Sequence, residues 1–353
     1  MAGMILVNNP GNWSGTFESL THADWNGCTF ADLVFPSFVF ILGAAMPFAF
    51  ARRISRDDHR GDLYSRIARR SAWLIALGLM LNVVAAAPTV VAMRVPGVLQ
   101  RLGLVYLIAA PIVINARPGW RFVALSALVL GHWALLTEPM LALPGGLAPA
   151  HNMAGSVDRA VFGSHTLTTT GDPEGLVGTI PAIASALLGS IAGDWLLETH
   201  PIWVRVAGLV CGGLAAIGLG LLWAPILPLN KSLWTGSFVL FTGGIATLTL
   251  AICYVLFDVY DYRRWAQPLA WLGFNPLAIY FLAELCGHLL DAPWPREAAR
   301  QMTARAWIFW DLLRPLAPDV RDEWLSLAFA LVTVSCWTAV AGALYRRRVR
   351  IHV

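Results

Sequence analysis

One of the eight histidines in this chain sits in a neighbourhood unlike that of the others. His22 lies in Thr21-His22-Ala23-Asp24-Trp25-Asn26-Gly27-Cys28-Thr29-Phe30-Ala31-Asp32, with two carboxylates within ten residues. A neutral imidazole beside a carboxylate is a general base poised near neutral pH. A solvated loop histidine is the plainer alternative. The same side chains lack a helical i, i+4 histidine pair and a cysteine partner, so no metal is expected there.

A second group follows helical spacing. Tyr280, Glu284 and His288 recur at every fourth position, which stacks them on one helix face, and Asn275-Pro276 marks a break ahead of them. Polar and ionisable residues in apolar surroundings are functional candidates by default. The stripe therefore argues for a lined cavity, with interhelical hydrogen bonding as the alternative. Asp32 and Arg101, the latter in Val95-Pro96-Gly97-Val98-Leu99-Gln100-Arg101, are candidates for a buried pair. Asp172-Pro173-Glu174-Gly175 reads either as a helix start with Asp172 as N-cap or as a ligand-facing acidic turn.

Membrane helices must position these groups. The 353 residues are 57% hydrophobic and 13% charged, with a mean hydropathy of +0.62, against roughly 25% charged in soluble domains. Apolar runs cover 29–51, 67–87, 97–115, 121–142, 176–197, 203–223, 235–257, 268–290 and 324–345. Runs near 20 residues suit helical spans and exclude the shorter alternating segments of a barrel. Five cysteines, an odd number lying mostly within apolar runs, exclude a disulfide scaffold. Residues 1–7 read as the outer end of a tenth helix whose beginning is missing. The expectation is an all-α polytopic bundle of about ten spans, the first truncated. It forms one domain over 1–353, with outer-face loops at 143–175 and 291–323.

Basic residues set the sidedness. Sixteen of the 25 cluster in alternate loops, which become the inner face, and the carboxyl terminus with Arg346-Arg347-Arg348 lies inside. Arg66, Arg69, Arg70, Arg263 and Arg264 belong to that face, where anionic-lipid contact is their plainest role. Five outer arginines, Arg296, Arg300, Arg305, Arg314 and Arg321, share one segment and read as surface charges.

Six blocks carry a resemblance: Asn8-Asn9-Pro10-Gly11, residues 22–43, Val95 to Gly103, Asp172 to Leu176, Asn230-Lys231-Ser232-Leu233-Trp234 and Asn275-Pro276-Leu277. In this order they resemble the heparan-alpha-glucosaminide N-acetyltransferase family across almost the whole chain. The resemblance implies a polytopic membrane enzyme that moves an acetyl group from cytosolic acetyl-CoA to the amine of a glucosamine on the far side. It implies that His22 matches the family's essential histidine and Asn8 a required asparagine. Acetyl transfer to an amine needs a deprotonated nucleophile, a stabiliser for the oxyanion and a thioester held within reach. His22 is then the base, Asn8 orients it or donates to the oxyanion, and Asp24 or Asp32 holds the imidazole tautomer. The inner arginines would take the phosphates of acetyl-CoA. Arg101, Asn275, Tyr280, Glu284 and His288 would line the channel or sugar pocket, with Asp172 and Glu174 facing the ligand. Direct attack and an acetyl-histidine intermediate both remain open.

The chain departs from the family pattern at its start. It opens inside the first helix, without the Ser-Leu-Asp-x-Phe-Arg-Gly-type segment of other members, which reads as a late start codon or a truncation. The compact loops and the absence of a cleavable signal place the protein in a bacterial inner membrane. Expected partners are membrane lipid, acetyl-CoA, an amino sugar and, since family members are often dimers, a second copy. No nucleic-acid partner is expected. The alternative function is transport of amino sugars or N-acetylglucosamine without acetyl transfer.

Overall fold

The computed structural model describes residues 1–54, 60–87, 93–137, 146–292 and 302–351. These are helical throughout, apart from loops and one isolated bridge between Thr168 and Gly171. The helices are α1 (Ala2–Asn8), α2 (Phe30–Ile54), α3 (Arg60–Ala86), α4 (Val98–Asn115), α5 (Pro118–Thr137), α6 (Met153–Phe162) and α7 (Leu176–Leu197). They continue with α8 (Ile202–Trp223), α9 (Gly236–Cys253), α10 (Arg263–Phe274), α11 (Pro276–Asp291), α12 (Ala304–Trp307), α13 (Arg314–Leu316) and α14 (Asp322–Arg346). Eight helices among the described residues, α2–α5, α7–α9 and α14, are long and apolar enough to cross a membrane. The pair α10 and α11 is apolar and long enough only when taken together, and it is bent by 75° at Asn275, where Pro276 removes a helical donor.

α7 is the central mast. Its buried positions are mostly small, among them Gly178, Ala182, Ala186, Gly189 and Gly193. Membrane helices associate through close packing rather than apolar transfer, so small residues mark their tightest contacts. A methyl group at Gly43 of α2 would overlap the Ala186 carbonyl, and one at Gly189 would overlap that of Phe40. The α2–α7 contact thereby anchors the middle of α2, whose first turn carries Asp32. Around this pair pack α4, α5 and α9, while α8 and α14 present apolar side chains such as Leu222 and Val332 outward.

The polar loops hold more structure than their composition implies. The 143–175 stretch contains α6, capped by Asn152, whose Oδ1 accepts the Gly155 N–H at 2.7 Å. The expected helix start at Asp172 is corrected: α7 begins at Leu176 behind Gly175. The distant Asp158 serves its end, accepting the Leu176 N–H at 3.0 Å. In the 291–323 stretch Arg305 is buried rather than a surface charge. It donates to Asp291 at 2.6 Å and to the Pro10 carbonyl at 2.7 Å, pinning the chain just beyond Asn8. Arg296 and Arg300 lie outside the described residues.

Candidate active site

His22 is held from behind by Asp32. Asp32 Oδ1 lies 2.8 Å from His22 Nδ1, and Oδ2 accepts backbone N–H groups of Ala23 at 3.0 Å and Thr29 at 3.1 Å. The Thr29 bond is half of a capping box at the start of α2, so the residue that closes the helix also orients the imidazole. Asp32 is buried, whereas the His22 side chain is 51% exposed. The carboxylate engages Nδ1, which leaves Nε2 as the ring nitrogen able to act as a base. Asp24, the other carboxylate expected beside His22, is exposed and stands apart from it.

Lys231 completes this cluster, a residue quoted in a sequence block but given no role there. Its Nζ lies 3.0 and 3.1 Å from the two ring nitrogens of His22 and 3.6 Å from Asp32 Oδ1. The turn that carries it is braced. Asn230 is buried and reaches Asn26 at 3.1 Å, and the Gly27 N–H donates to the Leu229 carbonyl at 2.8 Å. Trp234 closes the turn in a left-handed backbone (φ 53°), a strained state for an aromatic residue, with its buried indole donating to Ser185 at 3.1 Å. Burial pushes the Lys231 ammonium below its ordinary 10.5, against the pull of Glu174 and Asp32.

These groups open onto a cavity of about 440 Å³. Asn8, Glu174, Tyr280, Glu284 and His288 line it together with His22 and Lys231. Tyr280, Glu284 and His288 of α11 therefore face the same space. The Asn8 amide donates to Glu284 at 2.7 Å rather than to His22. Arg94 also lines the cavity, ion-paired to Glu174 and forked onto Asp172 at 2.7 and 2.5 Å. Burial works to raise the Glu174 carboxyl, but Arg94, Arg101 and Lys231 outweigh it and hold it below its ordinary value.

Several expected site residues lie elsewhere. Asp172 takes the Arg94 fork and the Leu167 N–H, leaving it committed to the loop. The expected Asp32–Arg101 pair is corrected, since each has other partners. Arg101 is buried, donates to the Gly175 carbonyl at 3.1 Å and stacks 4.9 Å over the Trp234 ring. Asn275 is at the opposite end of α11, where its side chain clasps the carboxyl-terminal segment through the Val349 carbonyl at 2.8 Å and the Ile351 N–H at 3.0 Å.

That far end holds a second cavity, of about 1050 Å³, lined by Arg66, Arg69, Arg70, Trp73, Tyr106 and Asn275. Arg263 and Arg264 are exposed and do not line it, and Arg263 pairs with Asp261 at 2.7 Å. Between the two lies an apolar cavity of about 340 Å³ that includes Phe38, Leu74, Leu102 and Leu277, with Arg70 at its edge. Each of these apolar residues stands about one helical turn from a lining residue of the His22 cavity, namely Val34, Gly78, Leu99 and Tyr280.

Residues 12–207 match the family model for the heparan-alpha-glucosaminide N-acetyltransferase catalytic region. Heparan-alpha-glucosaminide N-acetyltransferase of Homo sapiens is 27% identical over 404 aligned positions, covering 98% of this chain and 57% of the relative. The Mus musculus protein of the same name is 29% identical over 349 positions, covering 82% of this chain and 52% of the relative. The chain thus spans a little over half the length of the curated relatives it matches. His22, Asp32, Arg94 and Glu174 fall inside the range of the family model, whereas Asn8, Lys231 and the α11 stripe fall outside it.

Proposed function

The chain belongs to the heparan-alpha-glucosaminide N-acetyltransferase family, and on that premise we propose that it transfers the acetyl group of acetyl-CoA to the amine of a glucosamine-type sugar. The observation that carries this reading is His22 backed by Asp32 at 2.8 Å, half-open to a cavity that also holds two carboxylates, Glu174 and Glu284. His22 Nε2 takes a proton from the acceptor ammonium, and Asp32 stabilises the imidazolium that forms. Glu284, Glu174, Tyr280 and His288 supply acceptors and donors for an amino sugar. Asn8, bonded to Glu284, stands beside the acceptor and offers its remaining amide N–H to the oxyanion.

The donor enters from the Arg66, Arg69 and Arg70 end. Three guanidinium groups suit the phosphates of acetyl-CoA, and the apolar cavity beyond Arg70 suits its uncharged arm. The arginine distribution supports a cytoplasmic donor, a periplasmic acceptor and a cytoplasmic carboxyl terminus in a bacterial inner membrane. The amine attacks the thioester directly, without an acetyl-histidine intermediate. A homodimer is the proposed assembly.

Purified full-length protein in proteoliposomes, given labelled acetyl-CoA and glucosamine, should yield N-acetylglucosamine, and His22→Ala should abolish it. Sugar uptake without acetylation, unchanged in His22→Ala, overturns the enzyme reading. Acetyl label retained on His22 in the absence of acceptor overturns direct attack.

A further inference from the structure

The chain has a single lysine, and it is the cation closest to the proposed base. We propose that Lys231 is the acid that protonates the departing thiolate, an assignment that rests on the acetyltransferase reading above. The proton balance of the reaction creates the need. An acceptor ammonium loses two protons on becoming an amide: one ends on the thiol, the other in solvent. His22 takes the first, and the amine forms a C–N bond to the thioester carbon, giving a tetrahedral adduct. When the C–S bond breaks, the sulfur leaves with the electron pair and needs a proton at that moment.

His22 is badly placed to supply it. Its Nδ1 is bonded to buried Asp32, and the proton it has taken lies on Nε2, on the acceptor side of the adduct. Lys231 faces the same cavity with an ammonium 3.0 Å from the ring. It donates to the sulfur, and the neutral amine so formed takes the remaining proton from the adduct nitrogen, restoring the ammonium. His22 then releases its proton through its exposed edge. Arg94, the other cation lining the cavity, is committed to Asp172 and Glu174, and a guanidinium does not give up a proton.

Burial supports the role by drawing Lys231 below its ordinary 10.5, which makes its ammonium a stronger acid. The charged and titratable groups facing it are His22, Cys28 and Asp32 at the start of α2, Glu174 ahead of α7 and Arg101 on α4.

The test uses full-length protein in lipid nanodiscs with acetyl-CoA and glucosamine, following both thiol release and amide formation. Lys231→Ala and Lys231→Arg should each lower kcat by about 10²–10³-fold, with the KM for acetyl-CoA changing less than about threefold. Small tertiary amines carry a proton but cannot be acetylated, and they should restore Lys231→Ala in proportion to their acidity. The wild-type rate should decline as pH rises through a value below 10.5, a limb that both variants lack. Lys231→Arg keeps volume and charge, so it answers the question even if Lys231→Ala fails to fold. Activity near wild type in Lys231→Arg, or a defect in Lys231→Ala that no tertiary amine relieves, overturns the assignment. Wild-type protein that transfers no acetyl group overturns the underlying reading instead.

Discussion

Asp32 Oδ1 lies 2.8 Å from His22 Nδ1 while its other oxygen closes the first turn of α2. One buried carboxylate thus serves both the helix end and the imidazole. Asp32→Asn keeps the shape but offers an amide where the imidazole needs an anion. Acetyl transfer by this variant should fall about 10²-fold or more in kcat, with both KM values nearly unchanged. Retention of a third of the wild-type rate would show that Asp32 does not orient the base.

The Asn8–Glu284 contact of 2.7 Å predicts a different signature. Glu284→Gln removes a charged acceptor from the sugar side of the cavity, a loss of about 1.5–3 kcal/mol for one charge-assisted bond. The KM for glucosamine should rise about tenfold or more, and the KM for acetyl-CoA should stay put. Acceptor and donor titrations at saturating partner separate the two.

Replacing Arg66, Arg69 and Arg70 together by glutamine should act on the donor instead. The KM for acetyl-CoA should rise, and its dependence on salt should flatten, because screening acts on charges that are no longer present. An unchanged salt dependence would remove the second cavity from the reaction path.

Glu174 links stability to pH. Its folded carboxyl sits below the ordinary 4.5, held by Arg94, Arg101 and Lys231 against burial. The stabilisation is fully present above about 4.5 and is lost as pH falls through the folded value. Wild-type protein in detergent should therefore lose melting temperature on acidification in that window. Glu174→Gln should start lower at neutral pH and change less; parallel curves for the two proteins would contradict the linkage.

At the α2–α7 contact, Gly189→Val forces a side chain into the Phe40 carbonyl. Overpacking of this kind costs about 1–3 kcal/mol, visible as a lower melting temperature. Because α2 carries Asp32, the variant should also lose transfer activity beyond its loss of folded protein.

Much of the fold was legible because apolar runs near 20 residues leave a chain little choice in a bilayer. The break at Asn275-Pro276 and the stripe of Tyr280, Glu284 and His288 were legible for local reasons, a missing donor and a four-residue repeat. Lys231 was not, since it meets His22 across 209 residues of sequence. Arg94 went unsuspected as well, because only Arg101 of the two arginines near the start of α4 was singled out. Arg94 precedes the helix and reaches the cavity, while the rotation of α4 turns Arg101 onto Trp234. The helix start at Asp172 failed for a different reason: Asp172 Oδ1 does accept the Glu174 N–H at 2.9 Å, but Gly175 is extended and ends that turn, so the helix begins afresh at Leu176.

The 75° bend at Asn275 has a consequence for the bilayer itself. α11 has 16 residues, about 24 Å at 1.5 Å per residue, against a hydrocarbon slab of about 30 Å. α10, turned aside, adds little along that axis. α3, with 27 residues, overreaches the slab. One bundle therefore presents lipids with a short flank and a long flank, and hydrophobic mismatch is relieved by local thinning beside the short one. Among the described helices of the bundle that can contribute a span, apart from α10, the one that carries Glu284 is the shortest.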